Sequence, residues 1–186
     1  MFPLGHAAFA YLSYVGLAAA TRRPLPVRRA LVPLAVGSQL PDLLDKPLAF
    51  YGVLASGRSL GHSVLVAGVF VAGVWALARR VDGTGRGWRR PLEHAPAAVA
   101  VGYLSHLLGD SVGALAAGQY GDLTFLLWPV LPPTAYPGDA VSPVVRLLEL
   151  YRTPLAHPEL ELILLAAGVF VALEARERRS AAPDAR

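Results

Sequence analysis

Residues Ala95–Gly118 read Ala-Pro-Ala-Ala-Val-Ala-Val-Gly-Tyr-Leu-Ser-His-Leu-Leu-Gly-Asp-Ser-Val-Gly-Ala-Leu-Ala-Ala-Gly. A helix that crosses a membrane takes about 20 mostly apolar residues. This stretch is long enough, yet it carries His106 and Asp110. Four residues apart, the two share one helical face. The same face gathers Gly102, Ser105, Gly109 and Gly113, while Leu104, Leu108 and Leu115 lie opposite. Small residues let a second helix approach closely. The polar face is therefore expected to look inward, and the leucines toward lipid.

The rest of the chain agrees with a lipid setting. It has 186 residues, 54% hydrophobic and 16% charged, with a mean hydropathy of +0.46. Soluble domains carry about 25% charged residues. A fold of this length still exposes roughly 30% of the surface its unfolded chain exposes, too much for so apolar a chain in water. Disorder needs low hydrophobicity and is excluded on the same ground. Cysteine is absent, which removes disulfides, cysteine-bound metals and thiol nucleophiles.

Hydropathy predicts an all-α polytopic membrane bundle of four full spans plus one short or re-entrant segment. The spans are Met1–Ala20, His62–Ala78, Ala95–Gly118 and Leu160–Leu173. The short segment is Ala30–Leu40, which holds Pro33 and stops at Pro41-Asp42. Met1–Ala20 reads as a retained helix, because Arg22, Arg23, Arg28 and Arg29 follow it rather than precede it. Residues 1–179 are expected to form one integral-membrane domain, with a flexible tail at 180–186. The stretch 119–158, rich in Pro and Gly with Trp128, Tyr136 and Tyr151, reads as an outer interfacial lid. With the N-terminus outside and the C-terminus cytoplasmic, 13 of the 17 basic residues fall on the inner side. That asymmetry explains the net charge of +4 without a nucleic-acid partner, for which no motif is present.

Ionisable residues inside a span are costly and mark function by default. Under this topology His6, Asp42, Asp45, Arg58, His62, His106 and Asp110 all lie near outer ends, so segments distant in sequence bring them to one depth. Imidazole and carboxylate together suit zinc, manganese or iron. Three histidines and three aspartates exceed the ligands of a single catalytic zinc. They suit two metals about 3.5–4 Å apart with a bridging carboxylate. Each residue also has a plainer reading: a His–Asp hydrogen bond, a helix cap at Asp42, an interfacial anchor at Arg58. Those readings leave the shared depth unexplained. His94 has no assigned role, and His157 with Glu161 reads as helix capping.

Three stretches carry a family resemblance: Gly37–Asp45, Arg58–Ser63 and Gly102–Asp110. With the early His6 and the later Leu127-Trp128-Pro129, they resemble the YdjM-like membrane-bound metal-dependent hydrolases over roughly Leu4–Leu131. That family in turn resembles the zinc-dependent phospholipase C and single-strand nuclease superfamily. The resemblance implies that His62, His106 and one of Asp42 or Asp45 hold one metal. Asp110 would bridge, and His6 would bind a second. A third metal is not implied, because only His157 and Glu161 match the later ligands.

The function expected is hydrolysis of a phosphoester by water activated on one or two divalent ions, zinc first, with manganese or magnesium as alternatives. Arg58 would hold a phosphate oxygen, and Asp42 or Asp45, whichever is not a ligand, would orient the water. The partners expected are the bilayer and an amphiphile such as a phospholipid or isoprenoid phosphate. Two other classes remain open at this point: an ion or proton carrier built on the His/Asp cluster, and a non-catalytic membrane protein with a structural metal site.

Overall fold

Pro3 opens the first helix, at a position where an N–H would have no intrahelical partner. This computed structural model of the chain describes residues 1–22, 27–83, 95–152 and 159–181. Helix α1 spans Pro3–Ala20, α2 Val27–Phe50, α3 Val64–Gly83 and α4 Ala95–Ala116. Two 3-10 segments follow, Tyr120–Leu127 and Pro137–Ala140, then α5 (Pro143–Arg152) and α6 (Leu160–Ala181). The all-α class holds. His94, His157 and the Gly/Arg-rich loop after Gly83 fall outside the described residues.

The four-span arrangement does not hold. Among the described residues only α4, Ala95–Ala116, is long and apolar enough to cross a membrane. The other expected spans are broken by their own polar residues. In α1, His6 interrupts near the start and two tyrosines and a serine follow. Helix α3 begins at Val64 rather than His62, and its uncharged run ends at Ala78, before Arg79-Arg80. In α6, Glu161 and Glu174 bracket the apolar run. The expected short segment is instead a 24-residue helix, α2, that continues through Pro33, Pro41 and Pro47.

Helices α2 and α4 form the axis of the molecule and pack most extensively. Two glycines permit it. A Cβ on Gly37 would stand 2.3 Å from the Val99 carbonyl oxygen, and one on Gly102 would stand 2.6 Å from that of Leu34. Only glycine allows such backbone approach. Helix α1 packs on α2, α4 and α6, with Tyr11 edge-on to Phe170. Their shared core is small-residued: Ala8, Ala10, Ala30, Leu34, Ala98 and Ala166, with Tyr11 and Tyr14. A second cluster joins Ala67, Tyr103 and Leu107.

The distribution of polarity is inverted relative to a soluble domain. Fully buried side chains include His6, His62, His106, Asp45, Ser38, Ser56, Ser59 and Ser63. Large apolar side chains such as Val32, Val69, Leu77, Leu164 and Val171 are exposed. So are Leu104, Leu108 and Leu115, on the α4 face expected to meet lipid. Exposed apolar surface on this scale marks a membrane or an interface. Gly109 does face inward, where a Cβ would meet Met1 and His6, but Gly113 has nothing within 4 Å. At the far end of the bundle the Arg28 guanidinium pairs with Glu174, joining the arginine-rich ends of α2 and α6.

Candidate metal centre

The site forms where α1, α2 and α4 meet the irregular stretch 51–63 that joins α2 to α3. Asp42 comes from the third turn before the end of α2, His62 from the end of the irregular stretch, and His106 and Asp110 from α4. Each offers one donor atom, and the four atoms lie within 4.8 Å of one another. His62 Nε2 is 3.1 Å from His106 Nε2 and 3.4 Å from Asp42 Oδ1. Asp110 Oδ2 is 3.4 Å from His62 Nε2 and 3.9 Å from His106 Nε2, and Asp42 Oδ1 is 3.7 Å from His106 Nε2. A tetrahedral zinc with bonds of about 2.0–2.1 Å has ligand–ligand edges of about 3.3 Å. The observed separations surround that value. Asp42 Oδ1 is buried with no hydrogen-bond partner, an orphaned acceptor aimed at the centre. These residues fit a divalent metal.

The far nitrogens of both imidazoles are tied down, so Nε2 is the atom presented to the centre. His62 Nδ1 is 2.8 Å from Asp45 Oδ2. His106 Nδ1 is 2.6 Å from the Ser38 carbonyl oxygen. That carbonyl lies in the turn loosened by Pro41, which has no N–H and crowds the backbone one turn back. Carboxylate or carbonyl behind a ligating histidine is the usual orienting arrangement of metal sites. Asp45 also accepts from the backbone N–H groups of Ser59 at 2.7 Å and Gly61 at 2.8 Å. It is fully buried and saturated with donors. It thus folds the 51–63 stretch around itself and positions His62 from behind the metal-holding group.

His6 stands beside the four-residue group. It is fully buried, its ring stacked on His106 at 3.8 Å, and neither ring nitrogen has a hydrogen-bond partner. Its Nε2 lies 3.3 Å from Asp110 Oδ1, the oxygen that also meets the Met1 amine at 2.9 Å. Asp110 thus turns one oxygen toward His62 and His106 and the other toward His6.

Arg58 closes the side. Its Nε donates to Asp110 Oδ2 at 3.1 Å, and its guanidinium lies over Tyr136 at 5.0 Å and Phe125 at 5.7 Å. Burial disfavours the Arg58 charge, but neighbouring Asp110 and Tyr136 more than restore it, and its pKa rises. Burial likewise opposes the charge on His62, yet the carboxylates of Asp110, Asp42 and Asp45 around it raise its pKa to about 10. From the stretch after α4, Phe125 is buried against His62 with ring centroids 6.0 Å apart, and Ser63 Oγ donates to the Trp128 carbonyl at 2.5 Å.

The structure brings His6, Asp42, Asp45, Arg58, His62, His106 and Asp110 close to one another. It separates them into a central group of Asp42, His62, His106 and Asp110, with Asp45 behind, His6 beside and Arg58 at the edge. Three further neighbours, Lys46, Tyr136 and Arg146, carry no site role in the sequence reading. Lys46 Nζ donates to Asp42 Oδ2 at 2.5 Å, one turn along α2. As the sole lysine of the chain, spaced i,i+4 from Asp42, it could have been found. Tyr136 and Arg146 reach the site from far along the chain, with no periodic signal to announce them.

Fold and site together define a class: an all-helical protein with exposed apolar side chains and an apolar core at one end, and at the other a buried two-histidine, two-aspartate centre able to hold a metal. The chain belongs to the YdjM inner membrane protein family, whose sequence profile matches residues 1–180. No curated protein and no solved structure matches it.

Proposed function

We propose that this protein is a membrane-embedded metal-dependent hydrolase that cleaves a phosphoester of an amphiphilic substrate. The observation that carries the reading is the convergence of four buried donor atoms with both imidazoles locked from behind and an arginine at the rim. A divalent metal held by Asp42, His62, His106 and Asp110, with zinc the first choice, supplies Lewis acidity and lowers the pKa of water into the neutral range. Asp110 Oδ1, which meets the Met1 amine, and the unpartnered Nε2 of His6 would hold a second ion. Arg58 would bind a substrate phosphate oxygen and neutralise charge that develops there. Asp42 Oδ2 is held by Lys46, and the proton of the attacking water would leave to solvent. Asp45, with its oxygens already occupied, is a positioning residue for His62.

The rival reading, an ion or proton pathway, requires polar groups that continue through the bundle. The buried polar side chains among the described residues gather at the metal-centre end. The other half of the α1–α2–α4–α6 core is Ala10, Ala30, Leu34, Ala98 and Ala166, with Tyr11 and Tyr14. That favours a one-sided site. We also infer that the arginine-rich ends face the cytoplasm and the metal centre the outer side, as the positive-inside bias directs.

The test is phosphate release by detergent-purified protein loaded with zinc or manganese, from phosphatidate, lysophospholipid and prenyl phosphate substrates. Turnover lost in Arg58→Ala with metal content unchanged supports the reading. Metal-loaded protein with no turnover on any phosphoester contradicts it.

A further inference from the structure

Two cavities meet beside the metal centre, and they differ in character. The smaller, about 250 Å³, is lined by Lys46, Arg58 and Arg146 together with Asp110, Asp139 and Tyr136. The larger, about 710 Å³, shares Lys46 and Arg146 and continues between Phe2, Leu43, Val144 and Leu147. Its volume is that of a ligand pocket, and its wall is largely apolar. It also includes Asp42 of the centre.

The cations of the small cavity are unequally paired. Lys46 and Arg58 bond to Asp42 and Asp110, the carboxylates a metal would claim. Asp139 lines the cavity too, its Oδ2 accepting from the Tyr136 N–H at 3.0 Å. Arg146 is half-buried, donates to the Gly138 carbonyl at 3.2 Å, and makes no ion pair among the described residues. An arginine in a cavity that is bonded to none of the carboxylates lining it is a fork of donors suited to an incoming phosphate. A substrate with one phosphate, held at the metal centre and Arg58, would leave Arg146 unpaired.

We propose, building on the hydrolase reading, that the cavity between Lys46, Arg58 and Arg146 is a second phosphate subsite. The adjoining groove holds an apolar chain, and the preferred substrate is a lipid-linked diphosphate. The terminal phosphate lies at the metal centre, the inner phosphate between the cations, and the chain along Leu43, Val144 and Leu147. Hydrolysis then forms a bond from the water oxygen to the terminal phosphorus. The bond from that phosphorus to the bridging oxygen breaks, and the lipid monophosphate leaves with the bridging oxygen and its electron pair. The water proton passes to solvent.

The experiment is equilibrium binding to the zinc-loaded full chain in detergent. The probes are farnesyl methylenediphosphonate, whose P–C–P link resists hydrolysis, and farnesyl monophosphonate. The wild-type protein should bind the diphosphonate about tenfold or more tightly than the monophosphonate, the worth of one charge-assisted contact. Arg146→Gln should remove that preference and leave monophosphonate binding and zinc content unchanged. Arg146→Lys should restore part of it, and Lys46→Gln, on the other wall, should lower it independently. Equal affinity of the wild-type protein for both probes overturns the proposal, as does equal weakening of both by Arg146→Gln. Turnover of farnesyl diphosphate is followed alongside. Its absence with the binding preference intact contradicts the hydrolase reading and leaves the subsite standing.

Discussion

The two ends of the α1–α2–α4 bundle are built from the same helices and obey opposite rules. At one end His6, Asp42, His106 and Asp110 are buried, and two of them carry polar atoms with no partner. At the other end the same helices bury Ala10, Ala30, Leu34 and Ala98 beside Tyr11 and Tyr14, and among the described residues no carboxylate or imidazole joins that core. The apolar end follows from close packing alone. The polar end does not, because burying carboxylates and imidazoles is costly unless they are paired or coordinate a metal. Between the two ends, Gly37 and Gly102 hold the α2 and α4 backbones in contact. The difference teaches that the fold is anchored by its small residues and that its polar end is shaped for something it binds.

The largest break in that comparison comes from removing a donor. His106→Ala should reduce bound metal to background by plasma mass spectrometry, whereas Ala166→Val at the apolar end should leave metal content unchanged. Retention of metal by His106→Ala would count against the central group.

Next in size is the support behind His62. Asp45→Ala removes the acceptor that fixes the ring, and loss of such orienting partners typically costs 10–100-fold in metal affinity. Competition with a calibrated chelator measures this, and an unchanged affinity would assign Asp45 to folding alone.

Gly102→Ala tests the junction. Its Cβ would collide with the Leu34 carbonyl and the Ser38 backbone nitrogen, so the change should cost about 1–3 kcal/mol and lower the melting temperature. Gly113→Ala, on the same face with nothing nearby, should shift stability by about 0.5 kcal/mol or less. Similar effects from both would dissolve the distinction between packed and open stretches of α4.

The subtlest effect is on protons. His62 has its pKa raised to about 10, so in the metal-free protein it stays charged through neutral pH. The stability this supplies is full below its ordinary value of about 6.5 and fades as pH rises through about 10. Metal must displace that proton. Its apparent affinity should therefore rise about tenfold per pH unit between about 6.5 and 10, with roughly one proton released. Calorimetry in buffers of different ionisation enthalpy reads the proton directly. A binding enthalpy independent of buffer would contradict it.

The site was more legible in the sequence than the fold. His106 and Asp110 announce a shared face by spacing, and His6, Asp42 and His62 stand out as polar residues in apolar surroundings. Hydropathy could not show that Asp45 turns away to hold His62, because that depends on the path of the 51–63 stretch. Nor could it join Arg146 to Lys46 across 100 residues. The bundle was misjudged for a related reason. Counting charges alone made spans of stretches that His6, tyrosines and flanking arginines interrupt. Pro41 was read as a stop, yet α2 runs through it. Packing against α4 holds the helix together, and the loosened turn is put to use when His106 donates to the Ser38 carbonyl. Tertiary partners satisfied what local sequence left open.

The account rests on the polar end being a metal site. The most direct measurement is the metal content of the full chain, purified in detergent without chelators, beside Asp110→Ala. One or two transition-metal ions per chain in the wild-type protein, absent from the variant, is the result predicted. A wild-type chain that stays metal-free after incubation with zinc and manganese would contradict it.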